Sequence, residues 1–204
     1  MTIEKKVTGS FLANTYILSK NGQAVLIDPG LSFGKEAEQI KKKYDVVAIL
    51  LTHGHLDHID GIAYFDVPIY LHQDEQAFLF DPTLSLYRLM GLKPSFDESK
   101  QTIQTVQDGQ ILQLLEEEFL VIHTPGHTKG SVCYLNQNNL FSGDTLFCGS
   151  IGRTDFPTGD LNAMMKSLEK IMRICPGDTV VYPGHDDKTT LRFEKKNNPF
   201  LQNI

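Results

Sequence analysis

The sequence predicts an α+β fold in one domain spanning residues 1–204, and three observations carry that expectation. The N-terminal stretch alternates apolar and polar residues as strands do. Further on, short apolar or β-branched runs each end in a glycine-containing loop. Two other stretches, 34–43 and 160–174, read as helices.

Taken in order, residues 2–29 alternate like antiparallel strands. Asn21-Gly22 makes a good hairpin turn between Tyr16-Ile17-Leu18 and Ala24-Val25-Leu26-Ile27, because both central residues of that turn take a positive φ. Residues 34–43 read as a charged surface helix ending in Lys41-Lys42-Lys43, where cations suit the negative end of the helix dipole. Val46 to Leu51 reads as a buried strand, a helix is expected from Ile59 to Phe65, and Val67 to Leu71 looks like a strand. Residues 160–174 carry Leu161, Met164, Met165, Leu168, Ile171 and Met172 on one helical face, with Asp160 as N-cap. Those methionines read as core filling.

Composition narrows the function classes. A chain of this length buries a substantial core without dividing. Its net charge of −6 argues against broad binding to nucleic acid or anionic membrane, since both need clustered Lys and Arg. No apolar run approaches bilayer length, and the N-terminus lacks a signal-peptide shape. The three cysteines, Cys133, Cys148 and Cys175, form no paired framework or Cys-x-x-Cys motif. The expectation is a cytoplasmic protein, monomeric or weakly homo-oligomeric, with a small molecule as its partner.

The chemistry is concentrated in Thr52-His53-Gly54-His55-Leu56-Asp57-His58, directly after the buried strand. Three imidazoles and a carboxylate in one loop serve no packing purpose, whereas imidazole nitrogen and carboxylate oxygen are common donors to zinc and iron. His53 and His55, two apart on extended backbone, point the same way and suit one ion. Asp57 and His58 are offset enough to reach a second. Three later runs each end in a loop carrying one further candidate: His127 in Thr124-Pro125-Gly126-His127-Thr128, Asp144 in Ser142-Gly143-Asp144-Thr145, and His185 in Pro183-Gly184-His185. Glycine frees the backbone where a side chain must be aimed. Seven candidates exceed what one tetrahedral structural zinc requires, so two divalent ions are expected. Zinc is the first choice, with iron or manganese as alternatives. His72 and His123 read as surface or supporting residues, and Cys148 as structural.

At these residues the chain resembles the metallo-β-lactamase-fold hydrolases, and within them the small bacterial glyoxalase II-like branch. The resemblance runs from Ile27-Asp28-Pro29-Gly30 to Asn198-Pro199-Phe200, and Gly152-Arg153-Thr154-Asp155-Phe156-Pro157 is among its most specific stretches. It implies a four-layer αββα sandwich, two sheets face to face with helices outside, and a metal site at one edge. It assigns His53, His55 and His127 to one metal, Asp57, His58 and His185 to the other, and Asp144 to both. It also implies a hydroxide shared by the two ions as nucleophile, with Asp57 and Asp144 as the carboxylates that hold the pair together.

A thioester suits such a centre, because the leaving thiolate belongs to an acid of pKa roughly 8.5 and departs without strong protonation. The expected reaction is hydrolysis of an S-2-hydroxyacylglutathione or related acyl thioester. Glyoxalase II enzymes carry a helical C-terminal domain that helps to hold glutathione, and the short segment after His185 is not expected to form one. A persulfide dioxygenase is the alternative, with one iron on His53, His127 and Asp144; a non-catalytic metal-binding protein is a third reading. Arg153 either braces the ligand loop by pairing with Asp155 or orients a substrate carboxylate through its planar fork. Residues 81–105, broken by Pro82, Gly91 and Pro94, read as an irregular insertion. There, in a stretch that also holds Phe96, Arg88 or Lys93 is a candidate to pair with a carboxylate on the thiol portion of the substrate and Tyr87 to cover its apolar part, or the segment is a plain surface excursion.

Overall fold

The N-terminal alternation becomes three antiparallel strands in a computed structural model that describes residues 1–95 and 102–202. These are β1 (Thr2–Thr8), β2 (Ala13–Lys20) and β3 (Gln23–Ile27). The β2–β3 turn falls on Asn21 and Gly22, both at positive φ, and pairs Lys20 with Gln23. β4 (Asp45–Leu50), β5 (Ile69–His72) and β6 (Ile103–Val106) then add in parallel, giving a six-stranded sheet in sequential order.

The second sheet holds β7 (Ile111–Leu114), β8 (Glu117–His123), β9 (Val132–Asn136) and β10 (Asn139–Gly143). A two-stranded ribbon, β11 (Leu146–Phe147) with β12 (Ser150–Ile151), follows before β13 (Val180–Pro183) and β14 (Thr189–Thr190) complete the order β14-β13-β10-β9-β8-β7. Among the described residues lie four α-helices: α1 (Gly34–Lys43), α2 (Leu56–Ile59), α3 (Leu161–Ile174) and α4 (Leu191–Asn197).

The period-2 rule sorts the core into three layers. Val25, Ile27, Ala48 and Leu50 of the first sheet meet Phe119, Val121, Tyr134 and Phe141 of the second. Their chain neighbours Ala24, Leu26, Ile49 and Leu51 turn the other way, onto Phe33, Ala37 and Ile40 at α1, Ile59 of α2 and Ile62 beyond it. On the far side, Ile122, Cys133, Leu140 and Val181 face Met164, Leu168 and Ile171 of α3 and Leu191 of α4. Strands covered on both faces become uninterrupted apolar runs, which is why β2 is buried almost throughout. The result is the four-layer αββα sandwich, an α+β fold.

Three local expectations need correction. The helix placed at Ile59–Phe65 starts earlier, as the single turn α2, and tightens to a 3₁₀ segment over Asp60–Tyr64. Gly61 donates its N–H to Pro29 O at 2.8 Å, and that close approach draws the chain off the α-helical path. β5 starts at Ile69 rather than Val67, because Pro68 lacks an N–H for the ladder. Leu161, assigned to the buried face of α3, is exposed in its first turn, while Met164, Leu168 and Ile171 are buried as expected. Asp160 caps α3 by accepting from Ala163 N at 2.9 Å.

Candidate metal centre

All seven candidate ligands follow strand ends at one edge of the two sheets, five of them in loops and Asp57 and His58 in the single turn α2. β4 delivers His53, His55, Asp57 and His58; β8, β10 and β13 deliver His127, Asp144 and His185. The two sheets therefore contribute opposite walls of one site. Gly143 and Gly184 are joined by a backbone hydrogen bond of 2.8 Å, which sets Asp144 beside His185.

The side chains gather into two sets. One ligand atom from each of His53, His55 and His127 lies within 4.8 Å of the others, and the same holds for Asp57, His58 and His185. Asp144 lies between them: Oδ2 is 3.5 Å from His127 Nε2 and 3.6 Å from His185 Nε2, and Oδ1 is 3.4 Å from His58 Nε2. Asp57 Oδ2 approaches His185 Nε2 at 3.4 Å.

Hydrogen bonds fix which nitrogen each ring turns inward. His127 Nδ1 donates to Arg153 O at 2.7 Å and His185 Nδ1 to Phe11 O at 3.1 Å. His58 Nδ1 donates to Asp28 Oδ2 at 3.1 Å, and His53 Nδ1 lies 3.1 Å from Thr52 Oγ1, which donates to the same carboxylate at 2.6 Å. In each of these rings Nε2 is thereby turned toward the centre, and that of His53 meets no hydrogen-bond partner there. This is how metal-ligating imidazoles are held, with the outer nitrogen committed to a carbonyl or carboxylate. His55 differs, since its Nδ1 faces His127 Nε2 at 2.8 Å. His53 Nε2 and Asp144 Oδ1 are buried and make no hydrogen bond. Orphaned buried donor atoms of this kind are costly unless something binds them, so the residues present fit a pair of divalent cations.

The electrostatics fit the same purpose. Burial, reinforced by the neighbouring imidazoles, holds the His53 pKa well below the ordinary histidine value. Burial and then His127 do the same for His55. Burial also disfavours a charge on His58, but Asp144, Asp57 and Asp28 together outweigh it and push its pKa up to about 10. Burial would raise Asp57, yet His58 and His185 hold it far below the carboxylate range. Before metal enters, Asp57 and His58 of the second set form a close pair of opposite charges, while burial disfavours a charge on His53 and His55 of the first.

Sequence reading missed the residues that support the ligands. Asp28 is buried at a positive φ of 51° and also accepts from Thr52 N at 2.8 Å, so it fixes two imidazoles indirectly and directly. Glu75, fully buried, accepts from Gly54 N at 2.7 Å and from Gly130 N at 2.9 Å. It thereby ties the His53–His58 loop to the loop that follows His127. Burial pushes its pKa up to about 7, against the hydrogen bonds from Thr128, Gly54 and Gly130. Nothing in Gln73-Asp74-Glu75 marks one carboxylate for the interior.

The other sequence candidates fare unevenly. Arg153 lines the site, and its guanidinium forms the bidentate pair with Asp155, both contacts at 2.7 Å, while stacking 3.8 Å over the Phe156 ring. Tyr87, expected to cover substrate, is instead buried in the core beside α2 and donates to Asp60 Oδ1 at 2.7 Å. An aromatic ring in an apolar setting is stabilised by burial once its hydroxyl finds an acceptor. Arg88 and Lys93 are exposed and are not among the described residues lining the pocket. Phe96 lies outside the described residues. His72 and His123 stack in parallel at 4.1 Å, away from the centre; with Asp74 they bring ligand atoms within 4.8 Å. Parallel rings aim their lone pairs side by side rather than at one point, and His123 Nε2 already donates to Lys129 O at 3.0 Å. Cys148 is exposed and does not line the pocket, so packing does not explain it.

Above the ligands opens a pocket of about 470 Å³. Its floor includes His55, Asp57, His127, Asp144 and His185, and its walls include Phe11, Leu86, Met90, Phe147, Ile151 and Phe156.

Comparison with known proteins agrees with this geometry. The family model for the metallo-beta-lactamase superfamily matches residues 8–185. The hydroxyacylglutathione hydrolase GloC of Haemophilus influenzae is 34% identical over 209 residues, covering 98% of each chain. Among solved structures, the BLEG-1 B3 metallo-beta-lactamase superposes with a TM-score of 0.87 at 36% identity, over 98% of this chain and 99% of that one. TTHA1623, solved in a di-iron-bound form, gives 0.83 at 34% identity, over 97% and 100%.

Proposed function

Because this chain belongs to the metallo-beta-lactamase superfamily, we propose that it is a binuclear metal-dependent hydrolase that cleaves an acyl thioester in the glyoxalase II manner. The observation that carries the reading is the pair of three-residue sets joined by Asp144 at the floor of an open pocket. His53, His55 and His127 would hold one ion, Asp57, His58 and His185 the other, with Asp144 reaching both. Zinc suits this mixed donor set, as do iron and manganese, and a similar protein has been solved with two irons. When bound, such a pair supplies Lewis acidity to a carbonyl and brings the pKa of water to about 7.

The protein's own part is positional. Asp28, Thr52, Arg153 O and Phe11 O hold the rings in the tautomers that turn bare nitrogens inward. Phe156 and Phe78, 5.7 and 5.9 Å from the His55 ring, exclude water from one side of the floor, and a drier site strengthens every charge interaction in it. A thioester asks for no proton at its leaving sulfur. An amide needs one at nitrogen, and the described lining residues outside the ligand set include no imidazole or thiol to deliver it.

The test is turnover by fully metallated protein of S-lactoylglutathione and simple acyl thioesters. Chelation should abolish hydrolysis and added metal restore it. Metallated protein that cleaves no thioester sinks the reading, and oxygen uptake with glutathione persulfide under those conditions would replace it with the mononuclear-iron dioxygenase.

A further inference from the structure

Resting on the thioester-hydrolase reading, we infer that the substrate carries an apolar acyl chain of about eight carbons on an uncharged thiol arm, rather than a small polar acyl group on glutathione. The first ground is the pocket wall. Phe11, Leu86, Met90, Phe147, Ile151 and Phe156 line it above the ligands, and apolar walls with few polar groups bind by removing apolar surface from water. A volume of about 470 Å³ is roughly three times that of an apolar cavity that holds one benzene, enough for a medium chain and its thioester.

The second ground is charge. Glutathione brings two carboxylates, and a site built for it needs free cations at matching places. Among the described residues, Arg153 is the one cation on the wall. Its Nε and Nη2 both donate to Asp155 at 2.7 Å, and one face of its guanidinium lies on Phe156. A substrate carboxylate would have to displace a bidentate partner already in place. The two cations of the 86–93 stretch, Arg88 and Lys93, are exposed and absent from the wall, whereas its apolar members Leu86 and Met90 belong to it.

The third ground is the apolar surface adjoining these wall residues. Met90 is 40% exposed, Leu89 and Leu92 beside it are 64% and 46% exposed, and Leu12, next to Phe11, is 65% exposed. Exposed large apolar side chains on two segments that also line the pocket give an acyl chain apolar surface to bury.

Four thioesters and two thioethers test this with the metallated protein. The hydrolysis set is S-lactoylglutathione, S-octanoylglutathione, and the acetyl and octanoyl thioesters of N-acetylcysteamine. The octanoyl N-acetylcysteamine thioester should exceed S-lactoylglutathione in kcat/KM by roughly tenfold or more. It should exceed its acetyl counterpart by roughly thirtyfold or more, since each fully buried methylene favours binding up to about fourfold and burying between two and three of the six added ones already gives that ratio. Met90→Lys, at an exposed position, should lower the octanoyl rates and raise that of S-lactoylglutathione. By calorimetry, the non-hydrolysable thioether S-octyl-N-acetylcysteamine should bind about tenfold more tightly than S-methylglutathione. Preference for S-lactoylglutathione, indifference to chain length, or tighter binding of S-methylglutathione overturns the inference. Hydrolysis of none of the four sinks the thioester reading itself, while the thioether comparison still judges the pocket.

Discussion

Asp144 shows most directly how single residues carry this site. Its two carboxylate oxygens lie 3.4–3.6 Å from imidazoles of both ligand sets, so each set relies on it. Asp144→Ala should reduce bound metal from about two ions per chain to under one, measured by elemental analysis after dialysis; full occupancy in the variant would disprove the bridging role. Glu75 acts at one remove. With Glu75→Ala, Gly54 N and Gly130 N lose their buried acceptor, at about 1–3 kcal/mol for each unsatisfied group. Glu75→Gln keeps one acceptor oxygen and should recover part of that stability. Because the carboxylate joins the loops of the His53, His55 and His127 set, chelator competition should show the first ion weakened by roughly tenfold in Glu75→Ala, with the second unchanged. Equal weakening of both ions would make Glu75 a general core residue. The seven candidate ligands were legible as residues because three imidazoles and a carboxylate crowd into residues 53–58 and three further strand ends each carry one more beside a glycine. Glu75 and Asp28 were not, since a carboxylate's burial depends on which backbone N–H groups the fold brings to it.

At the scale of elements, strand ends set the geometry. β10 and β13 run parallel and finish at Gly143 and Pro183, and Gly184 N donates to Gly143 O, so the residues that follow emerge side by side. A Cβ on Gly184 would press directly into Asp144 Oδ1 and come within 2.8 Å of His58 Cε1. Gly184→Ala should therefore keep its circular dichroism spectrum while losing metal affinity and activity together. A variant with undiminished metal affinity would show that this contact relaxes at no cost. Most strands were legible from apolar runs and turn signals, and Asn21-Gly22 marked its hairpin through its φ requirement alone. Less legible were features set by distant contacts. Gly61 against Pro29 turned an expected helix into a 3₁₀ segment. Tyr87, in a stretch broken by Pro82 and Gly91, was drawn inward by Asp60 and the apolar layer beside α2. Local sequence reports what a segment prefers, and these outcomes were decided by partners tens of residues away.

At the scale of the molecule, the centre joins the two sheets. His53, His55, Asp57 and His58 follow β4 of the first sheet, whereas His127, Asp144 and His185 follow strands of the second. Each proposed ion takes ligands from both, so metal binding and sheet docking are linked. Three apolar layers pack the sandwich away from the ligand set, and burial of that extent is expected to keep metal-free protein folded. An ion at a hundred times its dissociation constant stabilises the native state by about 2.7 kcal/mol. Two ions would add about 5 kcal/mol, a rise of roughly 10–20 °C in Tm for a chain of this size. Leu168→Ala supplies the control. It removes a buried contact between α3 and the second sheet, remote from the ligands, and should cost about 2–5 kcal/mol. If the ions staple the sheets, differential scanning calorimetry should show the same metal-dependent rise in wild type and Leu168→Ala, each from its own starting point. A Tm that stays within about 2 °C on chelation would mean that the ions add nothing to the docking of the two sheets.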